Sequence, residues 1–180
     1  YRQAIAYDPD FGRAYAGLAV ILFNQGEAEK SGEQFQKALA LVDRMTERER
    51  YRTRGNYYIL VHNHRKAIEE YQQLLERYPA DTGGYNGLAF AHFLARDMER
   101  ALAQGRRGVE IYPKFVPLRS NLALYALYAG DFATAEKEAR TVVEQNPTYL
   151  KAHVALALAK VGQGRLDEAL EAYRRLEGLS

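Results

Sequence analysis

Three prolines, Pro79, Pro113 and Pro147, stand 34 residues apart. Pro9 lies 70 residues before Pro79, the length of one 34-residue period plus one of 36. Proline lacks the amide hydrogen a helix needs, and its ring clashes with the preceding turn, so each of these positions ends a helix. A fixed period of this length means that one supersecondary unit is stacked repeatedly. The stretch Ser120–Pro147 shows what the unit contains. It reads SNLALYALYAGDFATAEKEARTVVEQNP, two amphipathic helical patterns broken at Gly130-Asp131 and closed at Asn146-Pro147. Ala123, Ala126, Ala129, Ala135 and Ala139 fall where two such helices would touch.

Composition bounds the remaining choices. A chain of 180 residues, 47% hydrophobic and 27% charged, can bury a core. No apolar run approaches the eighteen or so residues of a membrane-spanning helix, so no membrane insertion is expected. A net charge of +2 provides no general attraction to nucleic acid or anionic lipid. With no cysteine, disulfides and thiolate metal sites are excluded, and the compartment stays open. There is no Trp, so 14 Tyr and 7 Phe supply the large core side chains. Residue 1 is a Tyr in mid-pattern: YRQAIAYDP reads as the tail of a helix, the expectation for a fragment of a longer protein.

The period and the residues that recur with it resemble the tetratricopeptide repeat (TPR) family, a helix-turn-helix unit with a W-x2-L-G-x2-Y … A-x3-F … P pattern. With the proline as repeat position 32, residues 1–11 are a partial repeat with Tyr1, Ala4 and Pro9. Residues 12–45 carry Tyr15, Leu18, Ala19, Gly26, Phe35 and Ala38, with Ser31 in place of an alanine and Asp43 in place of the proline. Residues 46–81 carry Tyr51, Gly55, Tyr58, Ala67, Tyr71 and Pro79 after two extra residues, Thr46-Glu47. Residues 82–115 carry Tyr85, Leu88, Ala89, Ala101 and Pro113, and residues 116–149 carry Leu122, Ala123, Gly130, Ala135 and Pro147. The last repeat, 150–180, has Leu156, Ala157, Gly164, Ala169 and Tyr173. The resemblance implies one all-α array, an α-α superhelix of about eleven antiparallel helices over residues 1–180.

Each recurring type has a physical reason. Small residues at positions 8 and 20 let the helices of a hairpin approach, and a larger side chain would overpack. Gly26, Gly130 and Gly164 sit just past the first helix, where a left-handed residue ends it most cheaply as glycine. Asp131 and Asp167, near the start of second helices, favour the N-terminus electrostatically. The departures predict local thinning: Gly105 and Ala139 replace the aromatic at position 24, Arg119 and His153 that at position 4, and Arg54 an apolar residue at position 7.

Nothing in the sequence assembles a catalytic centre. HExxH, Walker-type and GxSxG patterns are missing. His62-Asn63-His64 reads as a polar turn rather than a metal site, and His92 and His153 as hydrogen-bonded packing residues. Arg48 to Arg54 is the most basic run, but Glu47 and Glu49 dilute it and it reads as a salt-bridged helix start. Glu69, Glu70, Glu136 and Glu138 read as solubilising charges on outer helices. Neither an enzyme, a cofactor, a metal nor a nucleic-acid partner is expected.

The resemblance implies a protein or peptide partner, bound on the concave surface lined by first helices. Carried over position by position, the groove offers Arg52, Asn56, Asn86, Phe90, Phe93, Asn121, Leu124, Tyr128 and Lys151. An Asn amide can bond a peptide backbone through both its ends, and exposed aromatics carry binding hot spots. One TPR subclass clamps a C-terminal carboxylate. Arg52 and Asn56 fit its first pair, but Gly87 stands where the next Asn is needed. Two other readings use the same chain: self-association through an end where Leu170, Tyr173 and Leu176 face outward, and a docking tail of a bacterial signalling protein such as a serine/threonine kinase, suggested by LVDRMTERERYRTRGNYY.

Overall fold

The computed structural model describes residues 1–177, and all regular structure among them is helical. The chain forms two compact units, residues 1–91 and 92–180. The first holds α1 (Arg2–Tyr7), α2 (Gly12–Asn24), α3 (Ala28–Ala40), a 3-10 turn (Val42–Arg44), α4 (Glu47–Leu60), α5 (His64–Arg77) and most of α6 (Thr82–Leu94). The second holds the end of α6, then α7 (Met98–Ile111), α8 (Val116–Tyr128), α9 (Phe132–Gln145), α10 (Leu150–Gly162) and α11 (Leu166–Glu177). In the first unit α2 pairs with α3 and α4 with α5, and α4 packs on both α2 and α3. In the second, α8 pairs with α9 and α10 with α11, and α10 packs on both α8 and α9.

The same corner joins every hairpin. Repeat position 15 takes a positive φ in all five cases: Gly26 (81°), His62 (57°), Arg96 (63°), Gly130 (75°) and Gly164 (76°). The amide of the next residue then bonds the carbonyl five residues back, as in Asn63 to Tyr58 (2.9 Å) and Asp131 to Ala126 (2.9 Å). This closure satisfies a carbonyl that the helix end would leave bare. The following residue opens the second helix. Asn63, Asp97 and Asp131 accept from the backbone of Lys66, Arg100 and Thr134 at 3.1–3.2 Å. Asp131 thus acts by a direct cap, which goes beyond the electrostatic role expected of it.

Second helices end where the repeat proline restricts its neighbour. Asp8, Tyr78, Tyr112 and Asn146 precede prolines, and all leave the helix with ψ between 67° and 94°. Asp43 carries no such restriction, and the chain there winds into the 3-10 turn. Thr46, one of the two extra residues, then caps α4 in a reciprocal box with Glu49.

Small residues carry the hairpin contacts. Ala19, Ala89, Ala123 and Ala157 at position 8, and Ser31, Ala67, Ala101, Ala135 and Ala169 at position 20, are all buried. Ser31 fits the alanine slot because its hydroxyl donates to the Ala19 carbonyl on the facing helix (2.8 Å). The expected thinning at position 24 is compensated. Ala139 packs in one cluster with Ala123 and Ala155, and the space beside Gly105 is occupied by Leu122 and Tyr125 of α8. Where position 24 is a tyrosine, position 6 of the next repeat is glycine. Tyr1 lies against Gly17, and the ring of Tyr71 lies between Gly55 and Gly87.

Two substitutions at one corner position separate backbone from side chain. Gly130→Val should lower unfolding free energy by about 1–2 kcal/mol, because a β-branched residue fits the left-handed region badly. His62→Ala, which keeps an ordinary side chain at the same φ, should stay within about 0.5 kcal/mol in the same urea titration. Gly87→Ala should cost about 1–3 kcal/mol by driving a methyl into the Tyr71 ring.

Candidate functional site

In the first unit, α2, α4 and α6 line a depression of about 300 Å³. Its wall includes Arg13, Val20, Arg52, Asn56, Asn86 and the hydroxyl-bearing Tyr71, and its floor is glycine-rich, with Gly17, Gly83 and Gly87. The expected residues Arg52, Asn56 and Asn86 are therefore brought together. Tyr71 reaches this surface from the second helix α5. Its hydroxyl donates to Asn56 Oδ1 at 2.7 Å, and burial pushes its pKa well above the ordinary phenol value. Tyr71 belongs to a second helix and so lies outside the first-helix positions. The signal that locates it is the pairing of an aromatic at position 24 with a glycine at position 6 of the next repeat.

Arg52 is held from behind. Asp81, fully buried, caps α6 by accepting from Gly84 N (2.7 Å) and receives Arg52 Nε at 3.0 Å and Nη2 at 2.6 Å. Arg48 completes the cluster with a bond to the same carboxylate. Burial works to raise the Asp81 pKa, but the bonds from Arg52, Arg48 and Gly84 outweigh it and hold the carboxyl below its ordinary range. The basic run is thus an interior clamp in part, with Arg48 and Arg52 anchored on one acid. Gly83 leaves room for the Arg52 guanidinium, and Gly84 turns its amide to Asp81, so these glycines serve the clamp.

In the second unit, α8 and α10 line a more apolar depression of about 350 Å³. Leu124, Leu127, Val154 and Leu158 form its walls, with Asn121 and Lys151 among the polar residues bordering it. The structure brings together the expected Asn121, Leu124 and Lys151. Phe93 instead joins an aromatic cluster: its ring lies 5.1 Å from Tyr125 and 5.1 Å from Tyr128, edge-on to the latter. Tyr128 is 62% exposed. Phe90, half-buried on α6, lines neither depression.

Several polar residues read as surface groups are interior. Glu136 and Glu138 are buried, and each is paired with basic side chains that compensate its charge. Glu136 binds Arg165 (2.8 Å), Arg140 (2.5 Å) and Gln163 (2.9 Å), and Glu138 binds Arg119. Arg119 and His153, both at position 4, bond the carbonyls of the preceding repeat prolines, Pro113 and Pro147, each at 2.7 Å. This is how a polar group replaces the expected aromatic. His92 is buried, but its Nδ1 makes no hydrogen bond and lies 3.6 Å from Asp97; the expected hydrogen bond is missing at that nitrogen. Burial lowers the His92 pKa. Among the described residues no group of three His, Asp or Glu side chains could hold a metal, and no helix is long and apolar enough to cross a membrane.

The repeated corner, the small-residue hairpin contacts and the proline stops match a known pattern over nearly the whole chain. The tetratricopeptide repeat model matches residues 1–44, 52–114 and 120–180. The chain belongs to the tetratricopeptide repeat family. Its fold class is that of TPR solenoids, and TPR folds are in general non-catalytic scaffolds for protein–protein interaction. The thermophilic TPR protein TTC0263 of Thermus thermophilus superposes with a TM-score of 0.77 at 23% identity, over 94% of this chain and 91% of that one. YrrB, described as a TPR protein with an unusual peptide-binding site, gives 0.67 at 19% identity over 99% and 91%. Type IV pilus assembly protein PilF of Pseudomonas aeruginosa is 27% identical over 142 residues, 76% of this chain and 52% of that protein. Small glutamine-rich tetratricopeptide repeat-containing protein 2 of Saccharomyces cerevisiae is 27% identical over 81 residues, 45% of this chain and 23% of that protein. The chain thus spans about half the length of one relative and about a quarter of the other.

Asp81 gives the TPR chain an acid-sensitive point. Its folded pKa is depressed, so its contribution is fully present above the unfolded value near 4 and is lost as pH falls through the folded value. Asp81→Ala should cost about 3 kcal/mol at pH 7, the low end for a broken buried pair because Arg48 is partly solvated. The variant should also lose less stability than wild type between pH 5 and pH 2 (about the range where Asp titrates), read by urea unfolding at each pH.

Proposed function

We propose that this chain is a non-catalytic scaffold that binds a peptide or helix of a protein partner on its first-helix surfaces. The observation that carries this reading is the depression between α8 and α10. Leu124, Leu127, Val154 and Leu158 form an apolar wall open to solvent, and Leu158 is 42% exposed. Asn121 and Lys151 border it with polar groups. Such a surface buries apolar side chains of a partner while polar edge groups fix its orientation. Arg52, Asn56 and Asn86 supply a second, polar contact region, and Tyr128 an exposed aromatic. Phe93 supports Tyr128 through their edge-on ring contact. The peptide-binding description of YrrB and the assembly role in the name of PilF support a protein partner.

A second reading rests on α11. Leu170 and Tyr173, expected to mediate self-association, are 51% and 38% exposed, and Leu166 on the same helix is 64% exposed. Leu176, expected to face outward with them, is half-buried. On this reading, sedimentation shows a concentration-dependent dimer that Leu170→Lys abolishes.

Panning a random peptide library separates the two. Wild type should enrich peptides with apolar anchors, and Leu124→Lys/Leu158→Lys should lose them, with about tenfold or greater weakening and an unchanged helical spectrum. Equal enrichment by both proteins would overturn the groove reading.

A further inference from the structure

The last hairpin is fastened differently from the others. Each earlier second helix of a complete hairpin buries at least one larger apolar side chain: Phe35 in α3, Tyr71 and Leu74 in α5, Val109 in α7 and Val142 in α9. Among the described residues of α11, only Ala169 and Ala172 are buried, and Leu176 is half-buried. Two alanines remove little apolar area from water, so packing holds α11 on α10 weakly. The start of the helix differs too. Arg165 stands at the corner position where Asn63, Asp97 and Asp131 accept a backbone amide in earlier hairpins.

Charged groups supply what packing does not. Position 11 holds the buried Leu22 and Ala126 in two earlier repeats, and in the last it holds Lys160, which is also buried. The Lys160 ammonium donates to Glu168 of α11 at 2.7 Å and lies 3.6 Å from Glu136 of α9. Arg165 bridges the same two acids, Glu136 at 2.8 Å and Glu168 at 2.6 Å. The outer half of this network meets solvent: the Arg165 and Glu168 side chains are 36% and 49% exposed, against 10% and 11% for Lys160 and Glu136. Ions in solution therefore screen the contacts to Glu168 first.

We propose that α11 is an ionic latch, a helix held on α10 chiefly by charge, which opens locally as ionic strength rises while α8 and α9 stay folded. The geometry makes such an opening inexpensive. When Glu168 leaves, Lys160 keeps Glu136 as its partner and Glu136 keeps Arg140, so no buried charge is stranded. The helices left behind remain joined by the alanine layers of α8, α9 and α10, which contain no residue of α11. Ionic strength thus controls whether the α10 face that meets α11 is covered.

Hydrogen exchange followed by mass spectrometry tests the latch on the whole chain, in about 0.05 M and about 1 M NaCl, where the screening length falls from roughly 14 Å to roughly 3 Å. In wild type the α11 amides should exchange about tenfold faster at high salt, with those of α8 and α9 unchanged. Glu168→Gln keeps the shape of an exposed side chain and removes its charge. It should speed α11 exchange several-fold at low salt and abolish most of the salt response. Lys160→Met, which restores an apolar residue at position 11, should flatten the salt response in the same way. A purely structural role for these residues would change protection but leave the salt response intact. The proposal is overturned if α11 exchange in wild type is insensitive to salt, if Glu168→Gln responds to salt as wild type does, or if salt accelerates α8, α9 and α11 equally.

Discussion

Close approach of helices through small side chains is the constraint on which the rest depends. In the C-terminal unit, Ala123, Ala139 and Ala155 meet from α8, α9 and α10, and Ala126, Ala135 and Ala159 meet in a second layer. Each layer contains one residue from a hairpin's first helix, one from its second and one from the next hairpin. No hairpin can bury these faces alone, so folding and stacking are one event. The volume at a given junction is held more constant along the array than the residues that fill it. Tyrosine with glycine at Tyr71 and Gly87 does the same work as alanine with alanine at Ala139 and Ala155. A large side chain on one side is tolerated only where the other has none.

That exchange of volume also decides what reaches the inner surface. A junction filled by two alanines ends at the junction. A junction filled by a tyrosine between glycines carries a hydroxyl through the layer, and Tyr71 delivers it to Asn56. The depression of the N-terminal unit is therefore the more polar of the two. The charged groups follow a related logic. Asp81, Glu136 and Glu138 are buried because each takes a cation from a distant part of the chain and is not left as an unpaired charge.

Periodicity made the fold legible. Pro79, Pro113 and Pro147 placed the helix ends, and Gly26, Gly130 and Gly164 placed the corners, because those residue types act through the backbone alone. The same reasoning missed what depends on tertiary neighbours. Glu136 looks like any outer-helix acid until Arg165, 29 residues later, is seen to lie 2.8 Å away. First-helix positions gave Arg52, Asn56 and Asn86 in one depression and Asn121, Leu124 and Lys151 in the other, since helical period fixes which residues share a face. Tyr71 was invisible to that rule because it belongs to the other helix.

The left-handed corner has a consequence for the unfolded chain. Gly26, Gly130 and Gly164 adopt the corner without strain but wander widely when the chain is denatured, so ordering them costs entropy. His62 and Arg96 wander less, and their discomfort appears only on folding. The five hairpins therefore meet the cost of the same bend on opposite sides of the folding equilibrium, and a corner that looks strained in the folded chain need not be a weak one.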